Sequence, residues 1–181
     1  VLTPSKPPAF LQAQQLYQEA EAVGTGWSNT EITTAGSAGK VHGPWGNNNR
    51  VASKNIPLPA GVTQCTVSWR SWAIYTRDGE YDYAYINGKQ VWKKRGYHSG
   101  CRNGWLKGPS NFPRSSRSHP ACYIDVTVTV PCSGTLALMF RSDINQHEND
   151  ESWAFQNVKV AAPGVVSVCK GWGGSCNNGA L

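Results

Sequence analysis

Seven of the eleven acidic residues in this 181-residue chain fall in two short clusters. Asp78, Glu80 and Asp82 form the first; Asp143, Glu148, Asp150 and Glu151 form the second. Carboxylates packed this closely repel one another until something neutralises them. A hard cation such as Ca2+, which takes roughly six to eight oxygen ligands, is one solution. An ion-pair network with the neighbouring Arg77, Arg141 and His147 is the other, and such networks mimic functional sites. In an extended strand, positions 78, 80 and 82 share one face, and Gly79 lets the chain turn so that carbonyls point inward. No Asp-x-Asp-x-Asp-Gly run occurs, so a Ca2+ site would have to be assembled from distant segments. Its candidate ligands are Asp78, Glu80, Asp82, Asp150 and Glu151.

The second chemically loaded stretch is basic. Between Lys89 and Arg117 there are eight positive residues and no acid. Lys93, Lys94, Arg95, Arg102 and Lys107, with Trp105 among them, are candidates for binding an anionic polysaccharide. Nucleic acid would be attracted by the same electrostatics, but an extracellular setting favours glycan over nucleic acid. The alternative is a solvated loop whose charge only aids solubility. Trp45, Trp105 and Trp172 lie beside glycines in turns and could stack on sugar rings or pack down as loop anchors.

Signals for catalysis are weak. A carboxylate pair could serve a glycoside hydrolase, but nothing in the spacing sets the separation that such chemistry needs. There is no Gly-x-Ser-x-Gly, and no cysteine is spare for a thiol role. His42, His98, His119 and His147 are scattered, and the glycines at 171, 173 and 174 do not link a strand to a helix as a phosphate loop would. The expectation is a protein that is not an enzyme.

One domain suits this length. Eight Trp and seven Tyr against one Met, with nineteen Gly and eleven Pro, favour a turn-rich all-β domain. The six cysteines include no Cys-x-x-Cys pair, which argues against zinc. Three disulfides are expected, and with them an oxidising, extracellular compartment. Of the fifteen connectivities that six cysteines allow, Cys65–Cys132, Cys101–Cys122 and Cys169–Cys176 are favoured; the last would close a small Gly-rich loop. No apolar run approaches the ~20 residues of a membrane span, so membrane insertion is not expected. The Pro-rich opening, with no initiating Met, reads as a mature terminus or as a cut from a longer protein.

Residues 9–23 lack Gly and Pro and carry apolar side chains, which leaves helix and extended arm both open. Phe10, Leu11, Leu16 and Tyr17 are its candidate assembly residues. From Trp27 the pattern is β. Val62 to Tyr75 alternates apolar and polar, with a shift at Ser71-Trp72 that suggests a bulge. Tyr81 to Ile86 runs into Asn87-Gly88, the strongest short hairpin signal, and Gln90 to Trp92 returns. A long loop over residues 93–121 follows, then strands around 126–130, 136–140 and 152–160. The expected architecture is an antiparallel β-sandwich or jelly roll. Residues 1–26 would be an N-terminal arm, 27–160 the sandwich, and 161–181 a tail with a small Cys loop.

Three stretches together carry a resemblance: Arg77-Asp-Gly-Glu80, the run from Asp82 to Trp92, and Glu151-Ser-Trp-Ala-Phe-Gln-Asn-Val158. They resemble secreted, galactose-binding-like β-sandwich modules of algal, ciliate and bacterial surface proteins. In those modules the pattern is Trp-Asp-Gly-Glu, a hairpin, and Glu-Ser-Trp-Gly-Ile-Asp-Asn-Val. The resemblance spans roughly residues 27–160 and implies an extracellular, non-enzymatic sandwich without fixing a ligand. It carries over to Asp78, Glu80 and Glu151, with Asp82 and Asp150 as neighbours. Arg77 stands where those modules have Trp, and Ala154-Phe155-Gln156 where they have Gly-Ile-Asp. If the lost acid were a cation ligand, the site here would be weaker or rebuilt.

Two functions follow as expectations. One is a structural or adhesive cell-surface subunit that self-associates into a homopolymer through its N-terminal arm, as strand exchange and open head-to-tail contacts permit. The alternative is a Ca2+-dependent carbohydrate-binding module for anionic polysaccharide.

Overall fold

The structure is a computed structural model, and it describes residues 13–48, 51–97, 101–113 and 120–163. Its described residues form eleven strands, all paired antiparallel, and one short 3-10 turn. In chain order the strands are β1 (Gln14–Gln18), β2 (Ile32–Thr34), β3 (Lys40–Trp45), β4 (Val51–Pro57), β5 (Gln64–Tyr75), β6 (Tyr81–Ile86), β7 (Lys89–Arg95), β8 (Leu106–Lys107), β9 (Cys122–Pro131), β10 (Thr135–Ser142) and β11 (Glu151–Ala162). They build two sheets. One runs β2-β3-β11-β5-β9-β8, with β1 also on β11; the other runs β4-β10-β6-β7. The protein is an antiparallel β-sandwich.

Alternation explains most of this. In β6, Tyr81, Tyr83 and Tyr85 are half-exposed, while Asp82, Ala84 and Ile86 are buried. In β10, Leu136, Leu138 and Phe140 face inward. The inner faces meet in a core rich in aromatics: Phe155 lies 4.5 Å from Phe140 and 4.9 Å from Trp27, ring centre to ring centre. Asn87 and Gly88 both have positive φ, 50° and 76°, as a type I′ turn requires.

The pattern shift at Ser71-Trp72 is not a bulge. The pairing of β5 with β9 is unbroken from Gln64 to Ala73. Alternation ends there because both faces are covered. Trp72 and Ile74, on the outer face, lie under Phe112, Ala121 and Tyr123 from the long loop and the start of β9. The chain passes so close that a Cβ on Gly108 would sit 2.5 Å from the Trp72 ring. The irregularity lies instead in β11, where the register slips between Gln156 and Lys159 and Asn157 takes φ 57°, a left-handed conformation that Asn tolerates.

Two of the expected disulfides are present. Cys65–Cys132 ties the start of β5 to the end of β9, and Cys101–Cys122 pins the long loop to the start of β9. Cys169 and Cys176 lie outside the described residues.

The N-terminal segment was read as an arm, helical or extended. Its described part is extended and joins a sheet. Strand β1 pairs with the second half of β11, where β3 has already left that edge. Leu16 and Tyr17 pack on the chain's own core. Just beyond, the Glu19 carboxylate is buried and accepts hydrogen bonds from Trp27 Nε1 (2.7 Å) and the Tyr17 hydroxyl, with His42 Nε2 at 2.8 Å. Burial opposes ionisation of Glu19, but its bonds with His42, Tyr17 and Trp27 hold it below the usual carboxylate range. Phe10 and Leu11 lie outside the described residues.

Candidate cation centre and basic face

Strand ends from both sheets converge on one group of carboxylates. The loop between β5 and β6 carries Arg77, Asp78 and Glu80, and Glu151 opens β11. Carboxylate oxygens of Asp78, Glu80 and Glu151 all lie within 4.8 Å of one another. Asp78 is exposed, whereas Glu80 and Glu151 are buried.

The three acids differ in how they are compensated. Glu80 Oε2 accepts the backbone N–H groups of Asp78 (3.0 Å) and Gly79 (3.1 Å), and Arg77 Nε lies 3.8 Å away. Burial works against ionisation of Glu80, but interactions with Asp78, those backbone groups and Arg77 hold its carboxyl below the usual range. Glu151 has no such support. It is fully buried, and neither carboxylate oxygen has a hydrogen-bond partner among the described residues. Burial, then repulsion from Glu80, pushes its pKa up to about 7.

Asp82 and Asp150, expected as ligands, stand apart from the trio. Asp82 is buried and bound to Arg77, with Nη2 to Oδ1 at 3.1 Å, and the same guanidinium reaches Ser142 Oγ at 3.3 Å. Burial still outweighs Arg77 and raises the Asp82 pKa. Asp150 takes the Thr76 hydroxyl on Oδ1 and on its own carbonyl, clasping the two loops beside the trio. The ion-pair reading therefore holds for Asp82, but Arg77 is the one cation paired with these acids among the described residues. Glu80 and Asp82 share its guanidinium. His147 Nδ1 accepts the Asn149 N–H instead.

Arg77 fills the position of the expected Trp. It is completely buried, and Gly96 makes room for it, since a Cβ there would lie 2.9 Å from Arg77 Cβ. Gln156, in place of an expected acid, lies away from the trio. Its amide accepts Trp72 Nε1 and donates to the Ala38 carbonyl, both at 3.2 Å. The loss of an acid at that position leaves Asp78, Glu80 and Glu151 intact.

The basic stretch is divided by strand geometry. Lys93 and Arg95 are exposed on one face of β7. Lys94 points the other way, opposite Asp82 in register, with its ammonium 3.7 Å from where a Cβ on Gly104 would be. Arg102 and Lys107 are exposed. Trp105, a candidate for sugar contact or for a loop anchor, is buried and donates Nε1–H to the Arg95 carbonyl at 2.8 Å. It anchors the long loop, because an indole that can bury its ring and satisfy its N–H gains on both counts. Trp45 is likewise buried, 4.9 Å from Trp153, and Trp172 lies outside the described residues.

Residue-type reasoning passed over Tyr81, Tyr83 and Tyr85, which stand in a line on the outer face of β6. Their i, i+2 spacing in a strand was the available signal.

The sequence matches no protein-family model and no curated protein. Among solved structures it is similar to dimeric latent PorU from Porphyromonas gingivalis, with 14% identity and a TM-score of 0.42, covering 86% of this chain and 12% of that one. It is similar to the C-terminal CBM6 of LamC, a marine laminarinase from Zobellia galactanivorans, with 13% identity and a TM-score of 0.41, covering 83% and 99%. A family 35 carbohydrate binding module from Clostridium thermocellum gives 11% identity and a TM-score of 0.36, covering 84% and 98%.

Proposed function

We propose that this protein is an extracellular, non-catalytic carbohydrate-binding module for anionic polysaccharide, with a Ca2+ ion at Asp78, Glu80 and Glu151. One observation carries this reading: the charges are segregated. Glu80, Asp82 and Glu151 are drawn into the interior, while Lys93, Arg95 and Lys107 stay on the surface. The surface is thus more basic than the net charge of +6 suggests, and a basic surface with aromatic side chains attracts polyanions. The interior cluster needs positive charge that Arg77 alone does not supply, and carboxylate oxygens are the donors a hard cation prefers.

In this reading the cation is structural. It joins the 77–80 loop, which crosses from β5 to β6 of the other sheet, to the start of β11, and so fixes the strand ends next to β7. The two disulfides fit an oxidising compartment. The self-assembling reading finds less support, because Leu16 and Tyr17 are seated on the chain's own core.

The test is retention on immobilised polysaccharides: a sulfated galactan, a polyuronate and a neutral glucan, each with Ca2+ or chelator. Retention on the two acidic polymers that weakens as salt rises supports the reading. Equal retention on the neutral glucan, or none on any polymer, refutes it.

A further inference from the structure

The outer face of the four-stranded sheet presents an organised array of rings and cations that the cation centre does not use. Along β6, the rings of Tyr81, Tyr83 and Tyr85 follow one another at 6.2 and 6.3 Å, close to the two-residue repeat of a strand. Across the sheet, register places Lys93 of β7 beside Tyr83, and Arg141 of β10 on its other side. Lys93 Nζ sits 4.0 Å from the Tyr81 ring centre and 5.3 Å from that of Tyr83, and the Arg141 guanidinium lies 5.1 Å from the Tyr83 ring. Cation–π contacts of this kind hold flexible cationic heads in place without neutralising them.

The neighbouring acid does not neutralise them either. Asp143 is taken up by Tyr83, whose hydroxyl donates to Oδ2 at 2.7 Å, and by the backbone N–H of Tyr81. Among the described residues neither Lys93 nor Arg141 forms an ion pair. Arg141 Nε is shielded from solvent and has no hydrogen-bond acceptor among the described residues. Bond with Asp143 and burial push the Tyr83 hydroxyl up to about 12, burial being the larger cause, so it stays a neutral donor.

We infer that Tyr81, Tyr83, Tyr85, Lys93 and Arg141 form the binding face for an acidic polysaccharide, which lies along the tyrosine line with its sulfate or carboxylate groups on Lys93 and Arg141. This rests on the carbohydrate-binding reading and gives it a site. Charge complementarity selects the occupant: two cations with no ion pair among the described residues flank a row of amphipathic rings, and rings of that kind suit the mixed apolar and hydroxylated surface of a sugar. A guanidinium offers paired donors to an oxyanion.

The test is affinity electrophoresis of the intact protein through gels containing the sulfated galactan or the neutral glucan. The variants are Lys93→Ala with Arg141→Ala, Tyr85→Ala, and Lys40→Ala with Lys159→Ala, both exposed on the other sheet, as a control pair outside the face. Losing two charge-assisted contacts weakens binding to the sulfated galactan by roughly tenfold or more; Tyr85→Ala weakens it less, and the control pair by under about threefold. Thermal melting, and its response to Ca2+, confirms that each variant is folded. A Lys93/Arg141 variant that binds like the parent while the control pair loses binding overturns the assignment and leaves the carbohydrate reading standing. A parent protein retarded by neither polymer sinks both. Displacement of the galactan by duplex DNA at equal concentration would assign the face to nucleic acid and also overturn the inference.

Discussion

Glu80, in the loop just before β6, and Glu151, at the start of β11 in the other sheet, bring their carboxylates within 4.8 Å of each other beside Asp78. Glu80 is held ionised by backbone donors and Arg77. Glu151 is buried with no donor among the described residues. A proton or a cation must reconcile the pair, and most of the expectations below follow from which one does.

Ca2+ should stabilise the protein by binding only the folded state. At a free concentration of a hundred times Kd the gain is about 2.7 kcal/mol, or roughly 5–10 °C in Tm for a chain of this size. Glu151→Gln should abolish that shift while melting in chelator at or above the parent temperature, because the amide removes a buried repulsive charge. Differential scanning calorimetry with Ca2+ and with chelator checks both.

The pH dependence has a definite sign. Glu151 is raised from its ordinary value of 4.5 to about 7 in the folded protein, so between those values the unfolded chain loses a proton that the folded one keeps. In chelator, stability should therefore fall as pH rises from about 4.5 to 7. Burial gives Asp82 the same direction. Glu19 and Glu80 are shifted downward, so their contribution is present above the ordinary carboxylate value and lost as the solution is acidified below it. Stability in chelator should peak near pH 5, and Ca2+ should remove the decline towards pH 7. Urea titrations across this range measure it, and Glu151→Gln should flatten the same segment.

Arg77→Met should be among the most damaging single changes. It leaves Asp82 buried without its partner, and breaking a buried pair in this way costs about 3–5 kcal/mol. Adding Asp82→Asn should recover part of the loss in chemical denaturation.

Glu19→Ala tests whether the N-terminal strand belongs to the domain. The change strips an acceptor from Trp27 Nε1 and the Tyr17 hydroxyl and a partner from His42. Orphaning buried donors costs roughly 1–3 kcal/mol each, so a drop of at least that size is expected. An unchanged unfolding curve would mean that β1 contributes nothing to the fold.

The sheets were legible wherever one face is buried and the other wet: β6 with its Asn87-Gly88 turn, β9 and β10 alternate in the sequence, whereas the first half of β11 is buried throughout. The pattern failed where tertiary cover buries both faces, as at Trp72 and Ile74. It was silent for β1, whose role depends on the second half of β11 some 140 residues away. Acid clustering pointed to Asp78, Glu80 and Glu151, but composition could not tell them from Asp82, because only the folded chain shows which acid Arg77 takes. Charge counting also overlooked the tyrosine line: each Tyr reads as ordinary core or surface until the strand sets them in register with Lys93 and Arg141.

The central claim is tested most directly by passing the protein over immobilised sulfated galactan at low salt, in Ca2+ and in chelator, beside its Glu151→Gln variant. Retention of the parent in Ca2+, loosened by chelator and by salt and reduced in the variant, is the expected result. Parent protein that flows through in Ca2+ at low salt, or is held no better than on neutral glucan, would contradict it.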